Sequence, residues 1–351
     1  VPHKVIFLPG LGCSKLCING HDLVPTIKGG IMDLRLDSHG NDVKGNVVKA
    51  TSILLDISNS IPVYGPLVNF FKNKGFVFQN TDDYSIINGD TLYGFPYDFR
   101  KDIHLVSKSL EKFVIKIKEE SDIDDIVIVS HSMGNLVALD CILNQTGHDF
   151  VSKLVCIAPP FDGVPQVYAS LNYGIEFPLP KTHPLGLAPK EFQDLVANWY
   201  GLYQLLPFNH YDDEHKGFYS KQNKTLSLRE TYEKSESLNQ NLVSQAKLWK
   251  EDLVHKWEKS DFENIYLISG ELTENKTICR IIEDDSSSDR HVSYGTCMGD
   301  GTIPKTSYEK ISPDSNLKPI VNKYTYTGIN AEHNALTQNP HVLEKIFSII
   351  S

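Results

Sequence analysis

The chain predicts an α/β fold, a mostly parallel, doubly wound sheet interrupted by one inserted cap region. Three observations predict it. Ile126-Val-Ile-Val129 is a run of β-branched apolar residues, as in a strand buried on both faces. Apolar strands of this kind alternate with amphipathic helices through residues 1–160, the rhythm of a parallel sheet with helices on both sides. From Pro159 to about Trp257 the rhythm stops, and it resumes at Asn264–Ser269. The expected division is a core of residues 1–160 and 258–351, with a cap or lid insertion at 161–257.

The elements follow in order. Val5–Leu8 is a short apolar strand running into the turn Pro9-Gly10-Leu11-Gly12. Strand-like pieces lie near Met32–Leu36 and Ser52–Asp56. Pro66 opens a helix carrying Leu67, Phe70 and Phe71, and Gly75 stops it. A second helix presents Leu110, Phe113, Val114 and Ile117 on one face, and a third carries Leu136, Val137, Leu139 and Leu143. Lys153–Ala158 is the next strand. The insertion is aromatic, with Trp199, Tyr200, Tyr203, Phe208 and Tyr211, and its aromatics suit its own small core, an acyl tunnel or a membrane-facing rim. A hairpin at about 277–296, a strand at Lys323–Thr327 and a helix after Pro340 complete the chain, and Asp284–Asp289 reads as a polar loop tip.

Composition excludes several classes. The 351 residues carry a net charge of −10, which disfavours nucleic acid and strong docking to anionic lipid. No run approaches the roughly 18 apolar residues of a transmembrane helix. The six cysteines show no zinc-ligand spacing, so no metal is expected. Sequons stand at Asn144, Asn223 and Asn275, candidate glycosylation sites, and the first residue is Val1 rather than Met. Together they favour a secreted or lysosome-like location.

The chemistry lies in Ser130-His-Ser132-Met-Gly134, a variant of the G-x-S-x-G nucleophile elbow set between strand and helix. Small residues two before and two after the serine let the strand and helix pack closely. A serine hydroxyl needs an imidazole to take its proton and an acid to orient that imidazole. In α/β-hydrolases the chain order is Ser, acid, His. Asp300, within Met298-Gly-Asp-Gly-Thr302, is the first candidate acid, and Glu271 is its rival. His333 follows the last strand and precedes the last helix; His341 falls in the first turn of that helix and is the weaker base. His131, inside the elbow, is expected to have a packing role. The oxyanion needs two backbone N–H groups, expected from Met133 and from Leu11. A phosphate-binding loop is disfavoured at residues 9–12, where the Lys-Ser/Thr pair is missing.

These segments resemble the family of lecithin:cholesterol acyltransferase, lysosomal phospholipase A and phospholipid:diacylglycerol acyltransferase. The likeness is carried by Val5–Gly12, Tyr64–Gly75, Phe95-Pro-Tyr-Asp-Phe-Arg100, the elbow, Ala158–Gly163, Gly299-Asp-Gly-Thr302 and Glu332-His333. Phe99 stands where the family has Trp. The resemblance implies the site Ser132, Asp300 and His333, a glycerophospholipid ester substrate met at a membrane or lipid-particle surface, an acyl-serine intermediate, and no cofactor. Free fatty acid or an acylated lipid alcohol would be the product. A general carboxylesterase for smaller or neutral esters is the alternative, and a non-catalytic lipid-binding protein the least favoured. The family's lidded enzymes staple a loop after the oxyanion turn with two well-separated cysteines. Here Cys13 and Cys17 are too close for that, implying a shortened or rebuilt lid. Cys279 and Cys297, flanking the hairpin, are the expected disulfide. Asp98 and Arg100 are expected to form a buried ion pair under the cap.

Overall fold

A computed structural model describes the chain except residues 1–2, 24–27, 58–60, 81–82, 84, 122, 124, 145–146, 176–186, 209–217, 222–223, 285–290, 310 and 312–321. Seven strands make the central sheet: β1 (Lys4–Leu8), β2 (Val77–Asn80), β3 (Thr91–Gly94), β4 (Ile126–His131), β5 (Val151–Ile157), β6 (Ile265–Glu271) and β7 (Asn322–Thr327). Their order is β7-β6-β5-β4-β1-β3-β2, and every neighbouring pair is parallel. The chain leaves β1 for the β2 edge, returns through β3 and then places β4 on the other side of β1. That reversal opens a crevice at the carboxyl ends of β1 and β4, where α/β sheets bind ligands.

Helices cover both faces because successive strand side chains point opposite ways. Ile6, Leu8, Ile126 and Ile128 face the layer of α2 (Ile103–Glu120) and α3 (Gly134–Asn144). Val5, Phe7, Val127 and Val129 face α1 (Gly65–Asn73) and α5 (Pro340–Ile350). Pro66 lies in the first turn of α1, and Asp102 caps α2 by accepting the His104 N–H at 3.0 Å. Between α3 and α5 in chain order, α4 (Gln240–Lys259) is the long helix of the segment that joins β5 to β6. Among the described residues no helix is long and apolar enough to cross a membrane.

Among the described residues three smaller sheets accompany the central one, the smallest pairing Asp56–Ile57 with Ile61–Pro62. One pairs Ser14–Ile18 with His21–Asp22 and Val48–Ile53. Another joins Tyr219–Lys221 and Lys224–Leu226, from the segment between β5 and β6, to the hairpin Thr277–Asp284/His291–Cys297. The expected strand at Met32–Leu36 is corrected. Met32–Leu34 is a 3₁₀ turn, and Leu36 makes one isolated bridge to Asp42. The alternating Met32, Leu34 and Leu36 imitate a strand, but the Leu34 carbonyl accepts from Arg100 and Trp199 instead of a neighbouring strand. The loop tip at 284–289 lies, beyond Asp284, outside the described residues.

Candidate active site

The elbow is built by a close approach. Ser132 adopts φ +53°, the strained left-handed region, at the tip of the turn between β4 and α3. A Cβ on Gly134 would sit 2.7 Å from the Pro9 carbonyl oxygen, so only glycine lets α3 start this close to β1. Ser130, in place of the usual glycine, is wholly buried and donates to Asn135 Oδ1 at 2.7 Å. Asn135 Nδ2 in turn donates to the carbonyls of Ser132 and Ile157, both at 2.8 Å. The Ser132 N–H donates to Ile157 O at 3.0 Å. The turn is therefore held by β5 as well as by its own strand.

Three side chains from separate segments converge here. His333 Nε2 lies 2.9 Å from Ser132 Oγ, and His333 Nδ1 lies 2.7 Å from Asp300 Oδ2. The other carboxylate oxygen, Oδ1, accepts the N–H groups of Thr302 at 2.9 Å and Ile303 at 2.6 Å. The His333 N–H donates to the Asp300 carbonyl at 3.0 Å, fixing the two loops together. Asp300 and His333 are both buried. A carboxylate against Nδ1 holds the proton there and leaves the Nε2 lone pair facing the serine. That arrangement can take a proton from Ser132 as its oxygen attacks a carbonyl.

Leu11 and Met133 flank the same crevice or turn. The crevice, about 40 Å³, is lined by Gly10, Leu11, Tyr64, Ser132, Thr302 and His333 among others. Among the described residues neither the Leu11 nor the Met133 N–H has a hydrogen-bond acceptor. A Cβ on Gly10 would stand 3.1 Å from Ser132 Cβ, which explains the glycine beside this serine.

The remaining sequence expectations divide. Glu271 pairs with Lys305 at 2.8 Å and with Tyr308, away from His333. The His341 N–H is capped by Asn339 at the start of α5. His131 is buried, with its Nδ1 at 2.8 Å from Tyr64 OH and its Nε2 at 3.1 Å from the His333 carbonyl. Burial, reinforced by His333, holds its pKa well below the usual histidine value. Asp98 and Arg100 form the expected ion pair. Trp199 and Tyr203 are buried in the core, Tyr200 lines a separate groove of about 760 Å³, and Tyr211 lies outside the described residues.

The Cys279–Cys297 disulfide is corrected. Both are thiols; the hairpin register sets Cys297 opposite Thr277, and an irregularity falls at Cys279. Each sulfur instead donates to a carbonyl, Gly295 at 3.6 Å and Met298 at 3.4 Å. Asn275 is exposed, Asn144 is half-buried with its Nδ2 donating to Asp140 at 2.7 Å, and Asn223 lies outside the described residues. Among the described residues no cluster of His, Cys, Asp and Glu forms a metal site. Sequence reasoning placed Tyr64 and Tyr97 in family-like segments and Asn135 beside the elbow, but missed their hydrogen bonds at this corner.

The model of the family described as lecithin:cholesterol acyltransferase matches residues 63–350. No curated protein matches the chain. Among solved structures, a chain of the Tle4–Tli4 complex aligns over 100% of this chain and 99% of its own, with 13% identity and a TM-score of 0.64. The product of gene lin2722 from Listeria innocua aligns over 100% and 94%, at 13% identity and a TM-score of 0.43. Phospholipase PlaB from Legionella pneumophila aligns over 99% and 60%, at 11% identity and a TM-score of 0.46. At these identities the first likeness establishes a shared fold and nothing finer.

Proposed function

This chain belongs to the lecithin:cholesterol acyltransferase family, and from that premise we propose that it is a serine-dependent acyl hydrolase or acyltransferase of glycerophospholipid esters. The family carries the coarser statement, a lipid ester hydrolase or acyltransferase. The observation that carries the mechanism is the single imidazole bridging Ser132 Oγ at 2.9 Å and Asp300 at 2.7 Å.

In the proposed reaction Ser132 Oγ attacks the ester carbonyl as its proton passes to His333 Nε2. Asp300 stabilises the imidazolium, and the N–H groups of Leu11 and Met133 receive the oxyanion. His333 then gives the proton to the departing lysophospholipid oxygen. Water or a lipid alcohol, deprotonated by His333, takes the acyl group from Ser132. The substrate is met at a membrane or lipid-particle surface, and the exposed sequon at Asn275 supports a secreted or lysosome-like location. Loss of mass on glycosidase treatment of protein from secretory cells checks the latter.

The test is product analysis by mass spectrometry with phosphatidylcholine vesicles containing a lipid alcohol, at pH 5 and pH 7.5, for the wild type and Ser132→Ala. Fatty acid plus lysophospholipid, lost in the variant, is the expected result; an acylated alcohol adds transacylation. The narrow crevice of about 40 Å³ favours one second reading, a carboxylesterase of smaller esters. Serine-dependent turnover of short-chain esters with none of phospholipid would select it.

A further inference from the structure

Gly10 lets the turn after β1 come close to Ser132, but a glycine also leaves peptide planes free to rotate. A rotated plane would aim the wrong group at a developing oxyanion. One peptide unit of this turn, Pro9–Gly10, is held from both sides by buried phenols. Its carbonyl accepts the Tyr97 hydroxyl at 2.7 Å, and its N–H donates to the Tyr64 oxygen at 2.8 Å. The next N–H along the chain is that of Leu11.

We propose that Tyr64 and Tyr97 are positioning residues that lock the Pro9–Gly10 peptide, so that the Leu11 N–H faces the carbonyl oxygen of an ester bound at Ser132; this rests on the acyl-serine reading. Tyr64 also reaches the other two parts of the site. His131 Nε2 faces the His333 carbonyl, which can only accept, so in the neutral ring Nδ1 is the acceptor and takes the Tyr64 hydroxyl proton at 2.8 Å. His131 is then the Nε2–H tautomer, and that hydrogen goes to the His333 carbonyl at 3.1 Å. One hydroxyl thus connects the turn after β1, the elbow and the histidine loop. The ring itself is fixed: Tyr64 is 1% exposed and packs edge-on against Phe7 at 4.7 Å. Burial raises both phenols well above pKa 10, so both remain neutral hydroxyls.

The experiment compares Tyr64→Phe and Tyr97→Phe with the wild type in ester turnover and in inhibition by an alkyl trifluoromethyl ketone, whose serine adduct carries an oxyanion. Removing an oxyanion donor outright costs about 10²–10³ in kcat, so misorienting one is expected to cost roughly 10–100-fold, with KM changed less than about threefold. Affinity for the ketone should fall by the same factor, while binding of a non-hydrolysable ether phospholipid stays level. A purely structural role would not separate these two ligands. Ketone affinity and kcat within about twofold of wild type in both variants overturns the proposal. The wild type supplies a second measurement that needs neither turnover nor the variants: hydrogen exchange at the Gly10 amide. Strong protection is expected; a Gly10 amide exchanging at the free-peptide rate overturns the lock. Turnover that survives Ser132→Ala would instead defeat the functional reading while leaving the exchange result to decide the lock.

Discussion

The corner around Ser132 and the seam that fastens the segment between β5 and β6 to the rest of the chain are held by different physics. At the corner, Asp300 apart, the bonds that set geometry are between neutral groups: Tyr64 with Gly10 and His131, Tyr97 with Pro9, and Asn135 with Ser132, Ser130 and Ile157. At the seam the bonds involve buried charge. Arg100, fully buried, donates to Asp98 at 2.9 and 2.6 Å, to Asp42 at 2.7 Å and to the Leu34 carbonyl at 2.9 Å. Trp199 Nε1 reaches the same Leu34 carbonyl at 3.0 Å, and the Gly201 N–H donates to Arg100 O at 3.2 Å. Asp140 accepts from Trp249 of α4 at 2.8 Å and from His104 at 3.0 Å. Neutral bonds define direction at little desolvation cost, whereas buried charges are strongly coupled to their partners. Substitutions at the corner should therefore change rate before stability, and at the seam stability before rate.

Asp300→Asn gives the largest effect. An asparagine oxygen can still accept from Thr302 and Ile303, but its amide nitrogen then faces His333 Nδ1 and forces the proton onto Nε2. Ser132 loses its base, and kcat should fall by about 10⁴ while the melting temperature stays near wild type. A variant that melts early with normal rate per folded molecule would put Asp300 with the buried charges of the seam instead. Arg100→Met is next. It leaves Asp98 and Asp42 without their guanidinium and should cost about 3–5 kcal/mol in denaturant unfolding. Activity per folded molecule should persist; loss of activity at unchanged stability would place Arg100 on the corner's side. Asn135→Ala lies between the two regions. It removes bonds to two backbone carbonyls, so about 1–3 kcal/mol of stability should go together with a rate loss of roughly tenfold as the elbow relaxes.

How much of this was legible in the sequence follows from how local each feature is. The elbow could be read because strand, turn and helix are adjacent in sequence, and the sheet because β-branched runs recur between helical periods. Chain order brought forward Ser132, Asp300 and His333, and these three side chains are hydrogen-bonded to one another. Tyr64 and Tyr97 could not be read as partners of the turn after β1. They lie 54 residues from Gly10 and 88 residues from Pro9, and no periodicity encodes where a distant hydroxyl lands. Cys279 and Cys297 failed as a disulfide for a related reason: flanking a hairpin does not fix register, and one irregularity changes which side chains face each other. At Met32–Leu36 tertiary bonds to Arg100 and Trp199 overrode a two-residue alternation.

The last effect, present only in a narrow range of conditions, is a pH dependence at the seam. Lys250 of α4 is 1% exposed, and its ammonium donates to the Phe161 carbonyl at 2.5 Å beside the buried Asp162. Desolvation lowers its pKa to about 8, with Asp162 opposing the shift, against 10.5 for an ordinary lysine. Below pH 8 the folded and unfolded chains both carry the proton, so the cost of burying the charge is present in full. Between pH 8 and 10.5 the unfolded chain still binds the proton and the folded chain does not, so folding gains stability as pH rises through that window. Other groups also titrate there, notably tyrosines and exposed lysines, and a single unfolding curve would mix them. The difference between wild type and Lys250→Met isolates the one group. Denaturant unfolding of both at pH 7, 9 and 10 should show the wild type gaining on the variant as pH rises. A gap that stays flat, or narrows, would mean that this ammonium bears no burial penalty, and that the seam's charge at α4 behaves like the neutral bonds of the corner.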